Sequence, residues 1–140
     1  MSFPEEDFFD FIDKLRKEHN SIIIVEGLND KKALETWDIN LPIENIKHPW
    51  FEFIENIMDA YPQDTKIILL LDADPQGRKY QKKLKNEFRK YGFTVDSSYW
   101  SRMQHFHITY IEGLTSSNFL ELRLKYLSMK IDNQEKPMEN

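Results

Sequence analysis

Cysteine is absent from the 140-residue chain. Disulfides and thiolate metal sites are therefore excluded, and any bound metal must rest on carboxylates, histidines and water. That donor set favours a hard cation, magnesium first and manganese as a substitute. No apolar run approaches the ~20 residues that a membrane-spanning helix needs. The opening residues, Met1-Ser2-Phe3-Pro4-Glu5-Glu6-Asp7, are acidic where a secretory leader would be basic. These absences point to a cytoplasmic protein with no membrane partner. Positive charge is also scarce: 19 Lys and Arg stand against 24 Asp and Glu, a formal net charge of −5. Such a balance argues against a non-specific nucleic-acid coat but leaves room for a local basic strip beside an acidic cluster.

What is present suffices for one compact domain. A 40% hydrophobic and 14% aromatic composition can fill a core, and the length lies within the commonest domain range. There are no internal repeats and no linker, so residues 1–131 are expected to form a single domain. Residues 132–140 are polar, contain Pro137, and are expected to be a flexible tail.

Hydrophobic spacing predicts a helix over Ser2–His19, with Phe8, Ile12, Leu15 and His19 on one face. The β-branched run Ile22-Ile23-Ile24-Val25 reads as a strand buried on both faces. A helix carrying Ala33, Leu34 and Trp37 follows, capped at Asn29-Asp30. Ile43–Lys47 is a weaker strand, and Pro49 opens a helix lined by Trp50, Ile54, Ile57 and Tyr61. Lys66–Leu71 is the second strong strand. Pro75 starts a helix that ends near Tyr91-Gly92. Phe93–Val95 reads as a short strand, Ser97–Phe106 as an irregular or helical segment, and Ile108–Ile111 as a last strand. Thr115–Met129 closes the chain as a helix with Leu120, Leu124 and Leu127 turned inward. The alternation implies an α/β, Rossmann-like fold: a mainly parallel sheet of about four strands with helices on both faces.

Ligands of open parallel sheets bind outside the carboxyl ends of the strands. Here the two strongest strands end in Glu26-Gly27 and in Asp72-Ala73-Asp74. If the strands are neighbours, three carboxylates converge, and their repulsion is relieved by a cation. Asp72 and Asp74 can reach one metal if the chain stays extended through Ala73. Gly27 admits a phosphate close to the backbone, and the helix beginning at Pro75 aims free N–H groups at the same crevice. Taken singly, Glu-Gly after a strand is an ordinary turn entry, and Asp-x-Asp before Pro an ordinary helix cap. Their joint placement after two buried strands favours a functional pair.

The same residues carry a family resemblance. Val25-Glu26-Gly27-Leu28-Asn29-Asp30 with Ala33-Leu34 resembles the first motif of the Toprim domain, and Leu70-Leu71-Asp72-Ala73-Asp74-Pro75-Gln76-Gly77-Arg78 its second. That domain is shared by topoisomerases, bacterial-type primases, recombination-repair proteins and old-family nucleases. It also occurs in small stand-alone proteins similar to the bacterial ribonuclease that matures 5S ribosomal RNA. The resemblance covers residues 21–114. It implies that Glu26 is a general acid/base or metal contact and that Asp72 and Asp74 are magnesium ligands. Asp30 would support the site or cap its helix, and Gly27 and Gly77 would belong to the motif turns. Ile111-Glu112-Gly113-Leu114 is similar to the late acidic motif of the stand-alone proteins. Glu112 then either borders the cluster or is an ordinary glutamate at a strand end.

Arg78, Lys79, Lys82, Lys83, Lys85, Arg89 and Lys90 share one helix with a single acidic residue, Glu87. Arg78, Lys79, Lys82 and Lys83 are the candidate phosphate contacts, against the plainer reading of a solvated basic face. Arg102, His105 and His107 form a second cluster, read as packing rather than ligation. Surplus aromatics around Phe8–Phe11 and Trp50–Phe53 leave a homodimer contact open.

The expected function is therefore a magnesium-dependent nuclease or related phosphotransferase on RNA or DNA phosphodiesters, in RNA processing. The alternative is a non-catalytic, metal- and nucleic-acid-binding module that serves a larger complex. An aspartyl-phosphate phosphatase is disfavoured, because its Asp-x-Asp usually follows the first strand. Topoisomerase or primase activity needs domains for which 140 residues leave no room.

Overall fold

The computed structural model describes residues 4–135. Four strands, β1 (Ser21–Val25), β2 (Ile43–Asn45), β3 (Lys66–Leu69) and β4 (Val95–Asp96), form one sheet in the order β2-β1-β3-β4. Every pairing is parallel, with Ile23 opposite Ile43 on one side of β1 and Ile68 on the other.

The helices follow from the connections. Helix α2 (Leu28–Thr36) returns β1 to β2, α3 (Trp50–Ala60) returns β2 to β3, and α4 (Pro75–Lys90) returns β3 to β4. The chain first steps one way along the sheet and then reverses past β1. Right-handed crossovers in opposite directions must lie on opposite faces. Accordingly Ile23, Val25, Ile68 and Leu70 pack with α1 (Glu5–Lys17), α2, α5 (Ser98–Met103) and α6 (Ser117–Glu135). Ile22, Ile24, Ile67, Leu69 and Leu71 pack with α3 and α4. Both faces are dry, which is why the strands read as unbroken apolar runs. The chain is an α/β, Rossmann-like domain, as expected.

Helix ends follow local chemistry. Pro4 stands at the N-cap of α1, ahead of Glu5, Glu6 and Asp7, while Lys14, Arg16 and Lys17 occupy the last turn. Residues 2 and 3 of the expected helix lie outside the described residues. His19 lies beyond the helix end and is exposed. Helix α4 runs into Tyr91, and Gly92 takes φ 87°, a conformation that suits glycine.

Several expectations are corrected. Ile108–Ile111 is not a strand: His107 turns left-handed at φ 56°, and a 3₁₀ turn spans Ile111–Thr115. That segment crosses the carboxyl end of β3 instead of joining the ladder, with Ala73 N–H donating to the Thr109 carbonyl at 2.6 Å. Strand β4 falls at Val95–Asp96 rather than Phe93–Val95. Helix α6 buries Phe119, Leu122 and Tyr126, while Leu120 and Leu124 face outward at 39% and 65% exposure. The aromatic pair Phe119 and Tyr126 packs against Phe8, Phe9 and Trp37 and so chooses the inward face. The helix also extends to Glu135, into the expected tail; residues 136–140 lie outside the described residues. Of the surplus aromatics around Trp50–Phe53, Phe53 is buried and Phe51 is 66% exposed.

Candidate acidic site at the carboxyl ends of the strands

The reversal of winding opens the sheet between β1 and β3, because the chain leaves β1 toward one face and β3 toward the other. Glu26 follows β1 and Asp72 lies just beyond β3, so both enter this crevice. A cleft of about 410 Å³ there is lined by Glu26, Gly27, Leu28, Asn29, Asp30, Asp72 and Glu112.

Each carboxylate has a distinct setting. Asp30 is buried, and its Oδ2 accepts the Gly27 N–H at 3.0 Å, closing the first turn of α2. Asp72 Oδ1 accepts the Ile111 N–H at 2.9 Å, which ties the 3₁₀ turn to the end of β3 and carries Glu112 to the cleft. Asp74 is the N-cap of α4, its Oδ1 accepting from Gly77 N–H at 2.7 Å. One Glu26 oxygen, Oε1, is buried without a hydrogen-bond partner among the described residues.

Burial and mutual repulsion dominate the electrostatics. Burial, then the charges of Asp72, Asp74 and Asp30, push the Glu26 carboxyl up to about 7, partly offset by a hydrogen bond from the Asp72 backbone. Burial raises Asp72 to about 6; Asp30, Asp74 and Glu112 add to the rise, and the Ile111 N–H opposes it. Burial likewise raises Asp30, with Glu112 adding to it. Thus five carboxylates sense one another at one place.

The structure brings Glu26, Asp30, Asp72 and Glu112 around one cleft. Glu112 lines the same cleft, from a 3₁₀ turn rather than a strand end. Asp74 lies beside the cleft, near enough to act on Glu26 and Asp72 by charge but engaged in capping α4. Among the described residues, no three histidine or carboxylate side chains are arranged to hold a metal ion as they stand. The donor set still suits a hard cation: magnesium commonly takes one or two protein carboxylates and completes its shell with water and substrate oxygens.

Gly77 makes the site possible. A Cβ there would overlap the Asp72 carbonyl oxygen and stand 2.7 Å from Glu26 Oε1. Its motif position hinted at importance, but only the packing shows this close approach. Arg78 is tethered, its Nε donating to the Ala73 carbonyl at 2.9 Å and an Nη to Gln104 at 3.1 Å, with the guanidinium over Trp100. Lys79, Lys82 and Lys83 are exposed along α4. In the second cluster, Arg102 pairs with Asp10 at 3.3 Å and lies over Phe11, and Tyr99 and Phe106 are buried, whereas His105 and His107 are exposed. Two features escaped the sequence reading. Asn29 lines the cleft, and the Ile111 backbone braces Asp72; neither carries a signal that spacing can show.

A UPF0292 protein of Thermococcus sibiricus is 33% identical over 116 residues, which span 83% of this chain and 89% of the relative. The chain belongs to the UPF0292 family. Another UPF0292 protein, from Thermococcus kodakarensis, is 29% identical over 128 residues, 90% of this chain and 93% of the relative. A UPF0292 match of that extent necessarily runs through the stretch from Glu26 to Glu112. Among solved structures, a protein from Aquifex aeolicus is similar with TM-score 0.65 and 29% identity, over 74% of this chain and 94% of that one. No family model matches the chain. Among the described residues, no helix is long and apolar enough to cross a membrane.

Proposed function

We propose that this UPF0292 chain is a Toprim-type, magnesium-dependent nuclease or related phosphotransferase acting on nucleic-acid phosphodiesters in the cytoplasm, with RNA processing as its setting. The observation that carries the reading is the buried, unpartnered Oε1 of Glu26, a residue that lines a cleft shared with Asp30, Asp72 and Glu112. A carboxylate oxygen removed from water without a partner is costly, and a cation or a proton supplies what it lacks.

Glu26 and Asp72 would hold the cation, with manganese able to replace magnesium. When bound, the cation neutralises charge on the phosphoryl oxygens and positions the attacking group. Asp74 fixes the start of α4 by capping it, and Asp30 fixes Gly27, so both orient the site through the backbone. If Glu26 instead stays outside the cation's shell and leaves Asp72 to hold it, its carboxyl, raised by burial and its acidic neighbours, is the group suited to exchange a proton with the attacking or leaving oxygen. Gly77 keeps the α4 N-terminus close, where its dipole favours an anion. Lys79, Lys82 and Lys83 would meet the flanking phosphates, with Arg78 positioned beside them.

The test is cleavage of structured RNA and of single-stranded DNA by purified protein with magnesium or manganese. Glu26→Gln and Asp72→Asn are expected to abolish cleavage while leaving the fold intact. Full activity in either variant would refute the assignment. A second reading is a non-catalytic, metal- and nucleic-acid-binding module that serves a larger complex. Metal-dependent nucleic-acid binding without turnover by the wild type would select it.

A further inference from the structure

A second cleft lies away from the carboxylates, between α3 and the second half of α4. It encloses about 870 Å³ and is lined by Trp50, Phe51, Ile54, Lys83, Asn86, Glu87, Arg89, Lys90 and Tyr91. Two properties set it apart from an ordinary seam between helices.

First, it displays aromatic surface that folding does not need. Phe51 is 66% exposed and Tyr91 43% exposed. Phe51 lies off the stripe of Phe53, Ile54 and Ile57 that packs α3 onto the sheet. Trp50 forms a firm wall, set edge-on to Tyr80 at 4.8 Å and stacked near His48. Second, three cations rim the cleft against one acid, and that acid, Glu87, is paired with Lys90 at 3.0 Å. In a chain of net charge −5 this is a local excess of positive charge.

The cations continue toward the acidic site. Lys79, Lys83, Asn86 and Lys90 follow 4-3-4 spacing and share one face of α4, and Arg78, Lys82, Lys85 and Arg89 share the adjacent one. The helix is capped by Asp74, beside the acidic cleft, and its 16 residues cover about 24 Å. Lys83 to Lys90 therefore stand about 14–24 Å along the axis from that cleft.

We infer that the α3–α4 cleft is a subsite for single-stranded nucleic acid, in which bases stack on Phe51 and Tyr91 while Lys83, Arg89 and Lys90 meet the phosphates. Cations alone would attract any polyanion; exposed aromatic faces beside them select a polyanion that carries flat rings. A duplex keeps its bases stacked on one another and cannot offer those faces. The inference rests on the proposed action on phosphodiesters and adds the strand state of the substrate and the route by which it reaches the acidic site.

The experiment is fluorescence anisotropy with a labelled eight-nucleotide oligo-uridine or oligo-thymidine, in EDTA so that no cleavage occurs. The comparison ligands are an abasic oligomer of equal length, a blunt duplex and inorganic polyphosphate as competitor. The wild type is expected to prefer the single strand over the abasic oligomer and the duplex. Phe51→Ala, a change at an exposed position, is expected to weaken binding about tenfold. Lys83→Glu with Arg89→Glu is expected to weaken it further and to flatten its salt dependence. Equal binding of the abasic oligomer, displacement by polyphosphate as effective as by the oligomer, or unchanged affinity in Phe51→Ala would overturn the inference. Its fate separates from that of the cleavage reading. Groove-dependent binding without metal-dependent turnover leaves the subsite standing and removes the nuclease. Cleavage at unchanged kcat/KM in Phe51→Ala does the reverse.

Discussion

Gly77 on α4 abuts the end of β3 so closely that a Cβ on it would overlap the Asp72 carbonyl oxygen and press on Glu26 Oε1 at 2.7 Å. The obstacle is backbone, which cannot rotate away. Gly77→Ala must therefore lift the start of α4 and separate Asp72 from Glu26. A loss of about 1–3 kcal/mol, as for other overpacked sites, is expected in urea denaturation. Any metal-dependent activity should fall with it. A variant as stable and active as wild type would show that the helix start can shift freely.

The acidic cleft should make metal-free stability depend on pH near neutrality. Glu26 is raised from 4.5 to about 7 and Asp72 from 3.8 to about 6. A carboxyl with a raised folded value binds its proton more tightly when folded. Its contribution is fully present below the unfolded value and is lost as pH rises through the folded one. Stability in EDTA should therefore decline from about pH 4.5 to pH 7, and Glu26→Gln should flatten the decline. At pH 8 that variant is expected to be more stable than wild type by on the order of 1–2 kcal/mol, allowing for solvent screening at the open cleft. Parallel pH profiles for the two proteins would contradict the cluster.

Divalent cations should reverse that penalty. A cation bound only by the folded state stabilises by about 2.7 kcal/mol at 100 times its Kd. Because the ligands must be deprotonated, the thermal shift with magnesium or manganese should be larger at pH 8 than at pH 5. Asp72→Asn should abolish the shift while raising the metal-free Tm. An equal shift in the variant would place the cation elsewhere.

Lys66 joins three elements away from the cleft. Its Nζ lies 2.9 Å from Glu18 and 3.2 Å from Asp96, and the Tyr99 hydroxyl donates to Glu18 at 2.8 Å. Burial alone would lower Lys66, but its hydrogen bonds to Glu18 and Asp96 outweigh that and raise it. Burial pushes Asp96 up, yet the Ser98 and Lys66 contacts prevail and hold it below 3.8. Lys66→Met should cost about 2 kcal/mol at pH 7, since it leaves two half-buried carboxylates uncompensated. The cost should shrink below pH 4 as Asp96 takes up a proton, which urea melts at pH 7 and pH 3 would reveal. An equal cost at both pH values would assign it to packing.

On α6, Leu122 is buried and Leu124 is 65% exposed. Leu122→Ala should therefore cost about 2–3 kcal/mol and Leu124→Ala less than ~0.5 kcal/mol. Chemical denaturation of the pair distinguishes this face from the one that spacing suggested.

The sequence by itself determined the elements and the chemistry on offer. Strands buried on both faces must be apolar throughout, so β1 and β3 announce themselves, and the residues that end those runs, Glu26 and Asp72, can be read as strand-end carboxylates. Proline, glycine and acidic caps mark the ends of α4 for equally local reasons. Other decisions belong to the tertiary structure, because they depend on contacts between residues far apart in the chain. The face of α6 that turns inward was chosen by Phe8, Phe9 and Trp37, which spacing within α6 cannot sense. The path of Ile108–Ile111 was set by hydrogen bonds to Ala73 and Asp72 and not by its own β-propensity. Asp74 looked equivalent to Asp72 in the chain, yet the start of α4 claims it as a cap. The isolation of Glu26 Oε1 arises only when β1, β3 and α4 close on one point and leave a carboxylate oxygen no partner of its own.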